Sequence, residues 1–386
     1  MAVLSSLRSR RFVLFWLAQA VSSLGEGVYR VALPVWLLQK CESASVMGAS
    51  MLSYMTGMLF LLPFGGVVAD KFPKLRVVFA SDVIKATVVG FLFLLSCSDH
   101  FNLLAILCLI FTMGLGDALF RPAWMSVVPE LVSDDSVIDA SALLTITMQV
   151  SAICSPMLGA VIVATTSPAA GFLVDAASFG LALIVSLPLL SLSPRHGNSE
   201  TIKKVPTRIK EGVDMVLRFP WLYISILTGS ICGITLLGPL FVALPVLIGA
   251  DSKGSISVLG LLDSLEALGA IACAVVVGGQ VKLRHRGRSV YIGLLLQGAM
   301  VMIMGLPIPL TYLMLAMFVT GAAGSLCNLM WYNWLYEFVS LDHLGRIASI
   351  EFFGSHLFLP LGVVVSGVLT DKFSAHSVLT WGGSLL

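Results

Sequence analysis

The chain has 386 residues, 58% of them hydrophobic and only 11% charged, with a mean hydropathy of +0.97. A soluble domain coats itself with about 25% charged residues, so the composition excludes a water-soluble protein. A net charge of +2 with no suitable basic patch excludes a nucleic-acid binder. The 35 glycines and 16 prolines suit packed membrane helices, where small residues let backbones approach and proline is tolerated.

A helix crosses the hydrocarbon in about 20 apolar residues. Such segments are expected at 12–39, 45–69, 75–96, 101–125, 138–164, 168–192, 220–249, 256–280, 288–306, 310–338 and 347–369. The first is too long for a cleaved leader and reads as a retained span. The last apolar stretch, 375–386, is about half a span long, so a twelfth helix is expected to be partial. The polar stretch 193–219, with Arg195, Lys203, Lys204, Arg208, Lys210 and Arg218, separates six spans from six. The expected organisation is therefore an N-terminal bundle over 1–192, a cytoplasmic linker over 193–219 and a C-terminal bundle over 220–386. Within the linker, Ile209, Val213, Val216 and Leu217 are spaced for a short amphipathic helix on the membrane surface.

Lys and Arg collect on one side of these spans when the N-terminus is cytoplasmic. Arg8, Arg10, Arg11, Lys71, Lys74, Arg76, the linker cations, Lys282, Arg284, Arg286, Arg288 and Arg346 then lie inside, with Arg121 at the border. Only Lys40, Lys253 and Lys372 fall outside, with Arg30 and Lys85 within spans. The 7 cysteines are scattered without a C-x-x-C pair, so neither a disulfide nor a bound metal or other cofactor is expected.

The second half echoes the first. Val31-Ala-Leu-Pro-Val35 recurs as Val242-Ala-Leu-Pro-Val246, Gly65-Gly66 as Gly278-Gly279, and Glu130, Ser133 and Asp135 as Glu337, Ser340 and Asp342. All three offsets are about 210 residues, the mark of an internal duplication. A second echo links Gly66-Val-Val-Ala-Asp70-Lys71-Phe72 to Gly367-Val-Leu-Thr-Asp371-Lys372-Phe373. It relates helix 2 to helix 11, corresponding members of three-helix units of opposite orientation, as inverted repeats require.

The loop after helix 2, from Gly66 through Asp70, Lys71, Pro73 and Lys74 to Arg76, resembles the signature between helices 2 and 3 of the major facilitator superfamily. The resemblance implies two six-helix bundles related by a pseudo-two-fold axis. It also implies that Gly66, Asp70, Lys71, Lys74 and Arg76 form a conformational latch. Pro73 stands where the signature has glycine. Phe120-Arg121-Pro122-Ala123-Trp124, Val128-Pro129-Glu130, Phe172-Leu-Val-Asp175-Ala176, Gly345-Arg346 and Ser22-Ser-Leu-Gly25-Glu26 narrow the likeness to the drug–proton antiporter branch, which includes macrolide-efflux proteins and the enterobactin exporter. Helix 5 keeps the spacing of the antiporter motif, with Ser151, Ser155, Pro156 and Gly159 where that motif is richer in glycine. Its small residues are expected to pack against the opposite half. Helix 4 departs from the branch, with Ile110 where an arginine assigned to proton coupling is common.

Ionisable groups at membrane depth are costly and mark function. Glu26 lies roughly 20 Å past the N-terminal arginines at 1.5 Å per residue, with Arg30 one turn on. Two readings stand: a self-neutralising Glu26–Arg30 pair, or Glu26 as the proton carrier with Arg30 as its counter-ion. Asp175 in helix 6, and Asp263 with Glu266 three residues apart on helix 8, are further proton or substrate candidates. His356 in helix 11, near Glu351, is another. Asp82 with Lys85 and Asp117 with Arg121 have helical spacing and read as structural ion pairs near the inner end.

No phosphate-cradling Gly-x4-Gly-Lys-Ser/Thr loop and no nucleophile–base set is present, so no enzyme is expected. The reading is a monomeric exporter of small amphiphilic molecules (a drug, a macrolide-like compound or a siderophore) across the bacterial inner membrane, coupled to protons. Alternatives are a lysophospholipid flippase of the same fold and a non-transporting membrane sensor.

Overall fold

Long apolar segments satisfy their backbone in a bilayer only as helices or closed barrels, and the continuous rather than alternating apolar runs here select helices. The computed structural model describes residues 9–41, 43–98, 101–132, 136–190, 216–249, 253–278, 286–338, 351 and 353–386, and among these there is no strand. In chain order the helices are α1 (Arg10–Cys41), α2 (Ala44–Lys71), α3 (Lys74–Cys97), α4 (Leu103–Leu131), α5 (Val137–Thr165) and α6 (Pro168–Leu190). Then come α7 (Pro220–Ile248), α8 (Lys253–Gly278), α9 (Arg286–Met304), α10 (Leu310–Phe338), α11 (Phe353–Lys372, with a break at Phe358) and α12 (Ala375–Ser384). Among the described residues 11 helices are long and apolar enough to cross a membrane, as the sequence leads one to expect, and α12 is short at 10 residues.

Local signals set several ends. Asn102 caps α4 by accepting from the Ala105 amide at 3.1 Å, and Ser374 caps α12 through the Ser377 amide at 3.2 Å. Gly249 ends α7 in the left-handed region at φ 66°, where a Cβ is disfavoured. Pro73 sits just before α3, where its missing N–H costs nothing. Large side chains such as Phe60, Leu104 and Val275 are 66%, 72% and 73% exposed, which only a lipid environment tolerates at this density.

The chain forms two compact units, Met1–Lys40 with Ser53–Lys203, and Cys41–Leu52 with Lys204–Leu386. Sequence boundaries put all of α2 in the first bundle, whereas its first turns belong to the second unit. In the first unit α3 packs on α4 and α6, and α5 on α4 and α6. A core of Phe12, Phe15, Val78, Val127, Leu144 and Leu189 closes one end. In the second unit α10 packs on α8 and α9, α12 on α9, and α7 on α11 and α12. Its core includes Leu244, Leu262, Val301, Met304, Met317 and Leu379.

The duplication read from sequence reappears as matching helix crossings. A methyl group on Gly57 would lie 2.2 Å from the Phe111 carbonyl oxygen, and one on Gly114 would lie 2.1 Å from that of Tyr54. The second unit repeats this lock: Gly269 faces the Phe318 carbonyl and Gly321 that of Glu266, each at 1.9 Å. Close backbone approach of this kind is how membrane helices gain packing without a hydrophobic driving force.

Candidate functional site

The first unit buries a charged cluster around Lys85. This residue lies midway along α3 in a run of valines and other apolar residues, and it is 1% exposed. Its Nζ donates to Glu26 Oε1 of α1 at 2.6 Å and lies 3.2 Å from Asp117 Oδ1 of α4. Asp82, one turn earlier on α3, is 4.0 Å away. An ammonium at this depth is sustained only by such pairing, since an unpaired buried charge is prohibitive. The faces of Phe120 and Phe179 complete the shell, with ring centroids 4.2 and 5.1 Å from Nζ.

Neighbouring groups fix the geometry. Tyr54 of α2 donates its hydroxyl to Asp117 Oδ2 at 2.5 Å, and Ser81 donates to the Gly116 carbonyl at 2.7 Å. Gly116 leaves room for the Lys85 stem, which a methyl there would meet at 3.0 Å. Arg121 stands one turn beyond Asp117 and is exposed. Asp175 of α6 is fully buried. Its Oδ1 is 3.4 Å from the Ser178 hydroxyl, and its Oδ2 has no hydrogen-bond partner. Four carboxylates (Glu26, Asp82, Asp117, Asp175) thus share one region with three cations (Arg30, Lys85, Arg121). Fully ionised, this set carries one excess negative charge.

Of the four carboxylates, Glu26 is the one that lines a cleft. Its side chain is 26% exposed and lines a cleft of about 30 Å³, roughly one water in size, with Gln19, Ser22, Phe120, Trp124 and Thr147. The Trp124 Nε1 is buried without a partner, while Trp16 Nε1 donates to Thr147 at 2.7 Å. The cleft therefore offers a carboxylate, hydroxyls and indole and phenyl faces together.

These placements revise several sequence readings. Glu26 takes Lys85, not Arg30, as its ion-pair partner, because α3 brings an ammonium to it across the unit. The Asp82–Lys85 pair is present at 4.0 Å, but Lys85, Asp82 and Asp117 form one cluster and not separate pairs near the inner end. They meet Glu26 at mid-span, since the long Lys85 side chain spans the gap between helices. The small-residue face of α5, assigned from sequence to the opposite half, is occupied by α1 of its own unit. Ser151 and Ser23 hydroxyls are 2.9 Å apart, Ser155 fills the space beside Gly27, and Gly159 lies on Val28. Pro156 lies inside α5, where the Ser155 hydroxyl returns to the Ser151 carbonyl at 2.6 Å.

Of the loop signature, Lys74 pairs with Glu130 at 3.1 Å and Arg76 is exposed. The side chains of Gly66, Asp70 and Lys71 lie outside the described residues, as do Glu337, Ser340 and Asp342 and most of the linker. On α8, Asp263 and Glu266 are three residues apart, and the Glu266 carbonyl lies against Gly321 of α10. Just before α11, Glu351 accepts from Ser355 at 2.9 Å, and His356 of α11 is half-buried one residue after Ser355. The sequence reading missed Phe179, Gln19 and Thr147. The one available signal was Lys85 itself, a lysine in mid-span with no apolar-face excuse.

The helical fold and buried charges are those of a membrane transporter, and a family profile decides which kind. Residues 1–334 match the model of the transmembrane secretion effector family. The chain belongs to that family. It is an integral membrane transporter of the major facilitator superfamily, and the family is one of secretion proteins rather than enzymes. It is 25% identical over 377 residues to an uncharacterized MFS-type transporter of Bacillus subtilis (strain 168), covering 96% of this chain and 89% of that one. It is 27% identical over 394 residues to the enterobactin exporter of Shigella boydii serotype 4 (strain Sb227), covering 96% and 90%. Among solved structures, a bacterial homologue of the iron transporter ferroportin in its inward-facing state superposes with a TM-score of 0.72 at 16% identity, covering 97% and 96%. A POT family transporter in complex with 5-aminolevulinic acid gives 0.77 at 12%, covering 98% and 94%. At such identities these two establish the fold alone.

Proposed function

We propose that the chain exports small amphiphilic molecules by alternating access in exchange for protons, with Glu26 as the proton-carrying group and Lys85 as its buried counter-ion. The observation that carries this reading is the excess carboxylate around Lys85, with Glu26 alone of the set opening to the cleft. One proton balances the charge of the set. A charge imbalance in a low-dielectric site is expensive, so proton occupancy and helix arrangement are coupled there. Ile110, 1% exposed on α4, leaves the role of a coupling cation to Lys85 on α3. The enterobactin exporter among the relatives supports a small secreted amphiphile such as a siderophore, while the cleft at Glu26, about one water in size, suits the passage of a proton. In the same reading the chain sits in the bacterial inner membrane as a monomer with its N-terminus inside. The halves around residues 193–219 act as rocking bundles, and Gly66, Asp70, Lys71, Lys74 and Arg76 latch them. Asp263, Glu266 and His356 remain candidates for contact with substrate from the second unit.

The test is efflux of fluorescent dyes, macrolides and a catecholate siderophore from cells expressing the wild type or Glu26→Gln, with and without a protonophore. Export that is protonophore-sensitive in the wild type and reduced at least about tenfold in Glu26→Gln, the scale of a lost general acid–base group, is expected. Insensitivity to the protonophore removes protons from the mechanism. Movement of lysophospholipid without any of these compounds would replace export by lipid flipping.

A further inference from the structure

The sequence echo between Asp70 and Asp371 has a structural counterpart in the second unit that the Lys85 cluster does not use. Asp371, at the end of α11, receives four hydrogen bonds from the start of α2. Its Oδ1 accepts from the Ala44 amide at 2.8 Å. Its Oδ2 accepts from the Ser43 hydroxyl at 3.0 Å, the Ser45 amide at 2.9 Å and the Ser45 hydroxyl at 2.5 Å. Helix α2 begins at Ala44 with no acidic residue in its first turn, and its first amides and positive dipole end are answered by a carboxylate on another helix. Two glycines make the approach possible. A methyl on Gly367 would lie 2.8 Å from the Ala44 carbonyl and 3.1 Å from the Ser45 Cα, and one on Gly48 would lie 3.0 Å from the Val363 carbonyl. The contact is thus a backbone-to-backbone seat closed by one carboxylate, which is exposed, while its partners Ser43 and Ser45 are half-buried.

The same helix α2 belongs to the second unit over 44–52 and to the first from Ser53 onward. A single helix shared in this way cannot change its seat without opening the Asp371 contact. Fully buried apolar packing would make that seat permanent, whereas exposed hydrogen bonds to a carboxylate exchange readily with water.

We propose that Asp371 is a reversible clasp on the N-terminal end of α2, and that opening of this clasp is an obligatory step of the transport cycle. The inference rests on the alternating-access reading for the second clause only; the clasp itself is a local property of α2 and α11. Asp371 is not assigned to binding substrate or protons.

Two measurements test it. Hydrogen exchange on the intact protein in lipid nanodiscs reads the clasp without reference to transport. In Asp371→Asn and Asp371→Ala, amides of residues 44–52 exchange about tenfold faster, about 1.4 kcal/mol by the tenfold relation, while those at the α8–α10 crossing are unchanged. Unchanged exchange at 44–52 in both variants would overturn the clasp. The cycle is then read by locking the seat shut, with Ser45→Cys/Gly367→Cys in a Cys41→Ser background. Oxidation is expected to cut efflux at least about tenfold and a reductant to restore it. Should the reduced pair be inactive through the bulk added at Gly367, Gly48→Cys/Val364→Cys serves, since a Cβ on Gly48 lies 3.3 Å from the Val364 Cα. Full efflux by the oxidised, cross-linked protein would overturn the obligatory opening. A wild type that moves no test compound would instead defeat the transport reading, with the exchange result on Asp371 still standing.

Discussion

The two units share their packing and differ in their chemistry. The glycine lock of α2 with α4, through Gly57 and Gly114, is repeated by Gly269 and Gly321 between α8 and α10. The α3–α4 and α3–α6 pairings are likewise repeated by α9–α10 and α9–α12. Lys85 has a positional counterpart in Gln297, about 210 residues on. Each long polar side chain lies beside a glycine of the neighbouring helix, Gly116 for Lys85 and Gly324 for Gln297. Around Lys85 stand three carboxylates, whereas Gln297 only donates to the Thr320 carbonyl at 3.4 Å. Duplication has preserved what holds helices together, while the lysine at this position stands in one copy and a glutamine in the other. Scaffold and charged cluster are therefore separable by mutation.

The largest break in this comparison is expected at Lys85. Lys85→Met strands the surrounding carboxylates and is expected to cost about 3–5 kcal/mol, the scale of removing one partner of a buried pair, read as a lowered Tm in detergent, together with loss of efflux. Gln297→Met removes one long neutral hydrogen bond and should cost less than about 1 kcal/mol. Equal losses at the two sites would mean that Lys85 is merely a packing residue.

Next in size, Gly57→Ala and Gly269→Ala should each destabilise by about 1–3 kcal/mol, the usual scale of overpacking, and by similar amounts. Their added methyls meet the Phe111 and Phe318 carbonyls at 2.2 and 1.9 Å. A large loss in one and none in the other would show that the lock is not equivalent in the two units. Tyr54→Phe is the finest probe. It removes the hydroxyl donated to Asp117 and leaves the Lys85 pair, so about 1 kcal/mol should be lost, with efflux reduced less than by Glu26→Gln.

The scaffold was legible in the sequence because its causes are local or periodic. Span length follows from bilayer thickness, and the Val31–Val35 and Val242–Val246 echoes give the duplication directly. The charged site was legible only as a list. Helical spacing matches Asp82 with Lys85 and Glu26 with Arg30, yet the controlling partner of both Lys85 and Glu26 lies on another helix. No count along one chain reveals which face two helices turn towards each other. The same limit applied to α5, whose Ser151, Ser155 and Gly159 were read as an interface before their partner, α1, was known. Asp371 was visible as an echo of Asp70, but its four donors on α2 follow only from the tertiary seat.

The central claim, that Glu26 carries the proton exchanged for substrate, is tested most directly in proteoliposomes under an imposed pH gradient. The gradient is expected to accumulate substrate through the wild type but not through Glu26→Gln, while substrate exchange without a gradient survives the substitution because the fold and cleft are retained. Accumulation by Glu26→Gln equal to that of the wild type would contradict it.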